Sequence, residues 1–260
     1  MKRLNLGLLK CDSFIPEIKK EYGDIDIQFK NLLNANTLNT KVDLSVFELV
    51  EDEFPLKEDI LKGNRYHGFV ISGSRSSVND DKPWIHKLKE YIKFFNENKI
   101  KTVGICFGHQ AIASALPGGS VISNDKGWQV SDHQFSMNTS QCKDIKFLEN
   151  YNQLYNNSYS IQENKNIICL NKQIVSSVPD GFKVLASNEL CDNHMMIKDK
   201  QFLSFQGHPE FTPNLIKSLI LSRRGIIPDL VIEDGVERAN NSKIQQDLYP
   251  NLIISFFQDQ

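Results

Sequence analysis

Through the first half of the chain, short apolar runs alternate with segments of helical periodicity, and this alternation restricts the fold more than any other feature. Residues 4–9, 42–49, 67–72 and 101–105 read as strands. Between the last two, residues 83–96 set Trp84, Leu88, Tyr91, Ile92 and Phe95 on one helical face. Asp80 or Asp81 is the expected N-cap there, and Pro83 suits the first turn. Strands separated by helices are joined by right-handed crossovers, which makes the sheet largely parallel. The later runs 167–170, 184–187 and 202–205 are shorter and closer together, so a short antiparallel section is expected. Residues 249–257 place Leu252, Ile253, Phe256 and Phe257 at helical spacing behind Pro250, a terminal helix expected to dock on the core.

With 260 residues, 40% of them hydrophobic and 24% charged, the chain can bury a sizeable core and is neither collagen-like nor wholly disordered. No linker signal divides it. The expectation is a single domain over residues 1–260 with a helical extension from about 225 to 260. A formal charge of −2 argues against a nucleic-acid partner. No uncharged apolar run approaches the roughly 18 residues of a membrane span, so no membrane partner is expected. The apolar start imitates a leader peptide, but Asn5 interrupts it and Lys10 and Asp12 end it, as in a first strand. Cys11, Cys106, Cys142, Cys169 and Cys191 are widely spaced and form no C-x-x-C pair. That pattern suits a reducing, cytoplasmic setting better than a disulfide framework or zinc site. Asp132 and His133 have no matching ligand cluster nearby and read as a solvated turn, so no metal is expected; residues 151–166 are polar and Asn-rich.

Three segments carry chemistry. Gly104-Ile105-Cys106-Phe107-Gly108-His109-Gln110 follows a strand and opens a helix. Its small residues permit a sharp turn that exposes the central thiol, the geometry of a nucleophile elbow. A helix N-terminus at that thiol favours thiolate, and the Phe107 N–H could donate to an oxyanion. The competing reading is a buried structural cysteine flanked by turn glycines. Gln206-Gly207-His208-Pro209-Glu210 leaves the end of another strand. A thiol nucleophile needs a base, and the base needs a third group to fix its tautomer; His208 and Glu210 suit those roles. Alone, a His and a Glu in a Pro-containing turn are more often ordinary surface residues; paired with the cysteine elbow, the balance reverses. Ile71-Ser72-Gly73-Ser74-Arg75 is a third strand end, where the Gly73 N–H could complete an oxyanion hole or simply belong to a βα turn.

Together these motifs resemble, in order, the class I (triad-type) glutamine amidotransferases, particularly the free-standing GMP-synthase-type members. The resemblance spans most of residues 4–215, and Val178-Pro179-Asp180-Gly181-Phe182 followed by Ala186-Ser187 resembles fungal-type members. It implies a three-layer α/β sandwich with its site at the carboxyl ends of the strands. It further implies Cys106 as nucleophile, His208 as base, Glu210 as its orienter, and Gln110 and the Gly73 turn as substrate contacts. No cofactor or metal is implied. The implied substrate is glutamine or a γ-glutamyl peptide, cleaved through a thioester, with any ammonia-accepting subunit a separate polypeptide. The alternative is a catalytically silent, amidotransferase-like binding or regulatory module. Two loops depart from the family pattern. Asn171-Lys172-Gln173 stands where relatives carry His-x-Asp, and Gly127-Trp128-Gln129-Val130-Ser131 where they carry Trp-Glu-x-Gly.

Overall fold

The structure is a computed structural model and describes residues 2–36, 38–63, 65–142, 145, 148, 164–245 and 247–259. Most of the polar segment 151–166 therefore lies outside the described residues. A nine-stranded sheet runs in the order β2-β1-β3-β4-β11-β10-β9-β6-β7. Its parallel part comprises β1 (Lys2–Lys10), β2 (Thr40–Glu48), β3 (Gly68–Ile71), β4 (Thr102–Ile105) and β11 (Phe202–Phe205). The other four strands are β6 (Gln129–Met137), β7 (Lys165–Asn171), β9 (Lys183–Asn188) and β10 (Cys191–Lys198), paired antiparallel to one another. A small second sheet pairs β5 (Ser120–Ser123) with β8 (Gln173–Ser177).

The antiparallel section begins one strand later in space than spacing along the chain suggests. β11 is antiparallel to β10 but parallel to β4, so it joins the two halves of the sheet. Its four residues are all buried, as continuous apolar runs are when both faces of a sheet are covered.

Alternation along the strands separates two cores. On one face, Leu4, Leu6, Leu8, Val70 and Val103 pack with Phe29 of α2 (Ile25–Asn34) and with Ile253 and Phe256 of the terminal helix α9 (Leu248–Gln258). On the other, Leu9, Phe69 and Ile71 pack with Ile85, Leu88, Ile92 and Phe95 of α4 (Pro83–Glu97), and with Ala111 and Ile112 of α5 (Phe107–Ala115). Helices thus cover both faces, giving the three layers. The terminal helix docks as its periodicity predicts, and the Lys101 ammonium donates to its Phe256 carbonyl at 2.7 Å.

Two local expectations are corrected. α4 starts at Pro83 with Lys82 as N-cap and no side-chain cap. Asp80 instead accepts from the Ser77 N–H, while Asp81 meets His86 on the surface, so neither carboxylate is free to cap. Asp132 does not lie in a solvated turn. It is buried within β6, where one oxygen accepts from Ser242 Oγ at 2.8 Å and the Lys243 N–H at 2.7 Å, and the other from Asn166. A carboxylate with three donors is stable inside the protein, and this one ties the segment between α8 (Asp229–Asn240) and α9 to the sheet. Among the described residues, no helix is long and apolar enough to cross a membrane, and no cluster could hold a metal ion.

Candidate active site

The sheet register brings three strand ends to one level. Ile71 pairs with Gly104, and Ile105 with Phe205, so Ser72, Cys106 and Gln206 leave neighbouring strands side by side. Carboxyl ends of parallel strands are where α/β proteins gather their ligand-binding residues. The Cys106 N–H donates to the Phe205 carbonyl at 2.8 Å, which fixes the elbow to the adjacent strand.

Cys106 has φ 49° and ψ −100°, an unfavourable conformation for a residue with a side chain. Such strain costs about 1–3 kcal/mol and persists only where neighbours enforce it. Here close backbone approach enforces it. A Cβ on Gly104 would lie 2.8 Å from the Gly108 carbonyl, and one on Gly108 would lie 2.3 Å from the Ile71 carbonyl oxygen. Only glycines let α5 start this close to β3 and β4. Cys106 is the N-cap of α5, so its thiol sits at the positive end of the helix, and the Phe107 amide is a first-turn N–H without an intrahelical partner. The Phe107 side chain itself points elsewhere: it is buried and packs on Trp84 with centroids 5.5 Å apart.

His208 is buried, and both it and Cys106 lie against the Gly73 turn. Its Nδ1 meets Glu210 Oε1 at 2.7 Å, and the Phe211 ring stacks parallel on its ring at a centroid distance of 4.1 Å. Burial works against a charge on His208, but the charges of Glu210 and Cys106 outweigh it and raise its pKa well above the usual 6.5. A Cβ on Gly73 would sit 2.7 Å from His208 Cε1 and 3.7 Å from Cys106 Cβ, so the Gly73 turn lies against both groups. Ser72 holds that turn. Its hydroxyl accepts from the Cys11 N–H at 2.9 Å and donates to the Gly73 carbonyl at 3.0 Å.

Of the residues singled out from sequence, Gly73, Cys106, His208 and Glu210 therefore converge. Gln110 lies one step back. Its Nε2 donates to the Gln173 carbonyl at 2.8 Å and to Gln206 Oε1 at 3.1 Å, while Gln206 Nε2 lies 3.7 Å from Cys106 Sγ. Gln206 is a site residue that motif reasoning missed, although it opens the very motif that contains His208. The two departing loops meet here as well. Gln129 pairs in register with Asn171; both Gln129 amide atoms and Asn171 Oδ1 are buried without a hydrogen-bond partner among the described residues. Gln173 turns its amide to Ser77 Oγ, leaving its carbonyl to face Gln110. The elbow does not expose its thiol as expected, for Cys106 is itself buried at the strand ends. The other described cysteines are buried too, and burial pushes the Cys11, Cys169 and Cys191 thiols up, Cys191 to about 12. Such thiols stay protonated and inert.

A cavity of about 260 Å³ opens against Gly73, His208 and Glu210. Its outer wall comes from segments far apart in sequence, among them Phe14, Arg75, Trp128 and Arg223.

Comparison with known proteins agrees with this architecture. Residues 22–227 match the family described as Glutamine amidotransferase class-I. A glutamine amidotransferase-like protein of Schizosaccharomyces pombe is 31% identical over 247 residues, covering 91% of this chain and 92% of the relative. Gamma-glutamyl peptidase 4 of Arabidopsis thaliana is 33% identical over 202 residues, covering 78% and 74%. A glutamine amidotransferase structure from Thermotoga maritima superposes with a TM-score of 0.64 across 99% of both chains at 16% identity, which shows the shared fold. The chain belongs to the class I glutamine amidotransferase family.

Proposed function

We propose that the protein is a cysteine hydrolase of γ-glutamyl amides, acting through one amidotransferase-type domain that spans residues 1–260. The carrying observation is the convergence of a strained, helix-capping Cys106 with a buried His208–Glu210 pair at 2.7 Å. A structural cysteine would need neither the strain nor the pair. In this reading the Cys106 thiolate attacks the amide carbonyl carbon and forms a C–S bond, and the N–H groups of Gly73 and Phe107 hold the oxyanion. His208, oriented by Glu210, gives its proton to the departing nitrogen as the C–N bond breaks. Water then adds to the γ-glutamyl thioester and passes a proton to His208. Cleavage of the C–S bond releases glutamate and restores the thiolate.

Gln110 and Gln206 form the wall behind the acyl group, and the unpartnered amide of Gln129 and Oδ1 of Asn171 offer further contacts to its polar end. The relative named a γ-glutamyl peptidase supports γ-glutamyl peptides as substrates beside glutamine. The test is incubation with glutamine and a panel of γ-glutamyl dipeptides, with mass spectrometry of the products and of Cys106. Release of glutamate, with a transient γ-glutamyl adduct on Cys106, is expected. Absence of both, together with no labelling of Cys106 by a glutamine-like electrophile, would return the chain to the class of silent binding modules.

A further inference from the structure

Ammonia is small and polar and needs no apolar cavity to leave, yet the cavity beside His208 is built largely from apolar side chains. Phe14, Trp128, Leu170, Phe211 and Leu219 form its walls, and its volume of about 260 Å³ suits one amino-acid residue better than a long peptide. Gly73, His208 and Glu210 line it on one side of the site, whereas Cys106, Gln110 and Gln206 do not line it. A group that takes a proton from His208 must depart on that side.

The charges in the wall do not cancel. Asp12 grips Arg75 with two hydrogen bonds, at 2.9 Å from Nε and 2.8 Å from Nη2, and neutralises it. Glu210 is paired with His208. That leaves Arg223, half-buried, with no ion pair or side-chain hydrogen bond to any described residue. Burial pulls its pKa below the ordinary arginine range, and Arg75 adds to the effect, while the Cys106 and Asp12 charges oppose it. An uncompensated guanidinium in an apolar wall is a receptor for an anion, and its planar fork suits a carboxylate.

We propose that this cavity is the leaving-group subsite, and that it takes an α-amino acid with a large apolar side chain whose α-carboxylate is received by Arg223. The side chain would pack on Trp128, Phe211 and Leu219. The substrate class is then γ-glutamyl amino acids with aromatic or branched aliphatic side chains, which rests on the hydrolase reading above. The carboxylate sits one carbon from the scissile nitrogen, so Arg223 must lie near the reacting centre; it lines the same cavity as Gly73, His208 and Glu210.

The test compares γ-glutamyl-phenylalanine, its C-terminal carboxamide and γ-glutamyl-glycine. For the unmodified protein, kcat/KM should fall by about tenfold or more on either loss, of the carboxylate or of the ring. Arg223→Met should collapse the acid-to-amide ratio to within about twofold, and Arg223→Lys, which keeps the charge but not the fork, should restore only part of it. Equal losses on acid and amide in Arg223→Met would overturn the proposal and make Arg223 a group that acts through the thiol. Calorimetric binding of the acid and the amide to Cys106→Ala, with and without Arg223→Met, separates the two layers of argument. Arg223-dependent preference for the acid without any turnover would uphold the subsite and sink the hydrolase reading. Turnover of glutamine with no preference among the three dipeptides would do the reverse.

Discussion

Gly73→Ala adds a single methyl group at the point where the oxyanion turn meets the base. The Gly73 backbone is not in the left-handed region, so alanine meets no conformational penalty there. The new Cβ, however, would lie 2.7 Å from His208 Cε1. Carbon atoms settle at about 3.5–4.0 Å, so the imidazole must withdraw by roughly 1 Å. It cannot slide freely, because Phe211 stacks on it at 4.1 Å and Glu210 holds its Nδ1 at 2.7 Å. Overpacking of this kind costs about 1–3 kcal/mol, a fall in Tm of roughly 2–12 °C for a chain of this length. The fold survives that loss, but the geometry of proton transfer does not: a displacement near 1 Å lowers turnover by about a hundredfold. Steady-state kinetics at 25 °C, where the variant remains folded, should therefore show kcat reduced about a hundredfold and KM little changed. Turnover within threefold of the unmodified protein, with a matching melting curve, would refute the placement of His208 against Gly73.

Cys106→Ala should abolish γ-glutamyl hydrolysis while unfolding stays cooperative, since this thiol sits at a helix cap and removing it opens no large void; residual turnover within tenfold would sink the nucleophile assignment. Glu210→Gln should leave substrate binding nearly unchanged but lower kcat by about a hundredfold, because the tautomer of His208 is no longer fixed. The raised pKa of His208 stabilises the folded state fully below pH 6.5, with that stabilisation lost as pH rises through the folded value. Glu210→Gln should shift this alkaline decline to lower pH in urea melts across a pH series, and an unmoved decline would assign it to another group. Asn171→His combined with Gln173→Asp should raise kcat/KM for free glutamine by roughly tenfold, about 1.4 kcal/mol, by supplying a carboxylate near the substrate's ammonium; no change would mean that only the Gln173 carbonyl matters there. Asp132→Ala strands three part-buried donors and should cost about 1–3 kcal/mol, read as a Tm loss of roughly 2–12 °C.

What can be read from this sequence is what one segment carries by itself. The central strands β3, β4 and β11 are visible as continuous apolar runs because both of their faces are buried, and α4 is visible because its inward residues recur at helical spacing. The proposed triad is visible for a related reason: Cys106 follows one strand and His208 with Glu210 another, each beside a turn glycine, so strand and motif announce each other. What escapes is set by pairing across distance. The partner of β11 depends on which edge is open after β4 is placed, and four apolar residues do not encode that choice. Asp132 reads as surface because its three donors come from Asn166, Ser242 and Lys243, up to 111 residues away. Arg223 belongs to no motif and follows a helix, α7 (Pro213–Leu221). Its charge becomes conspicuous only once Asp12 is committed to Arg75 and Glu210 to His208 on the same cavity wall. In the proposed reading, chemistry concentrated in contiguous motifs points to the bond to be broken. The identity of the departing group is written in side chains that the fold assembles from at least five separate segments, and there the physical reading has to begin from the cavity rather than the motif.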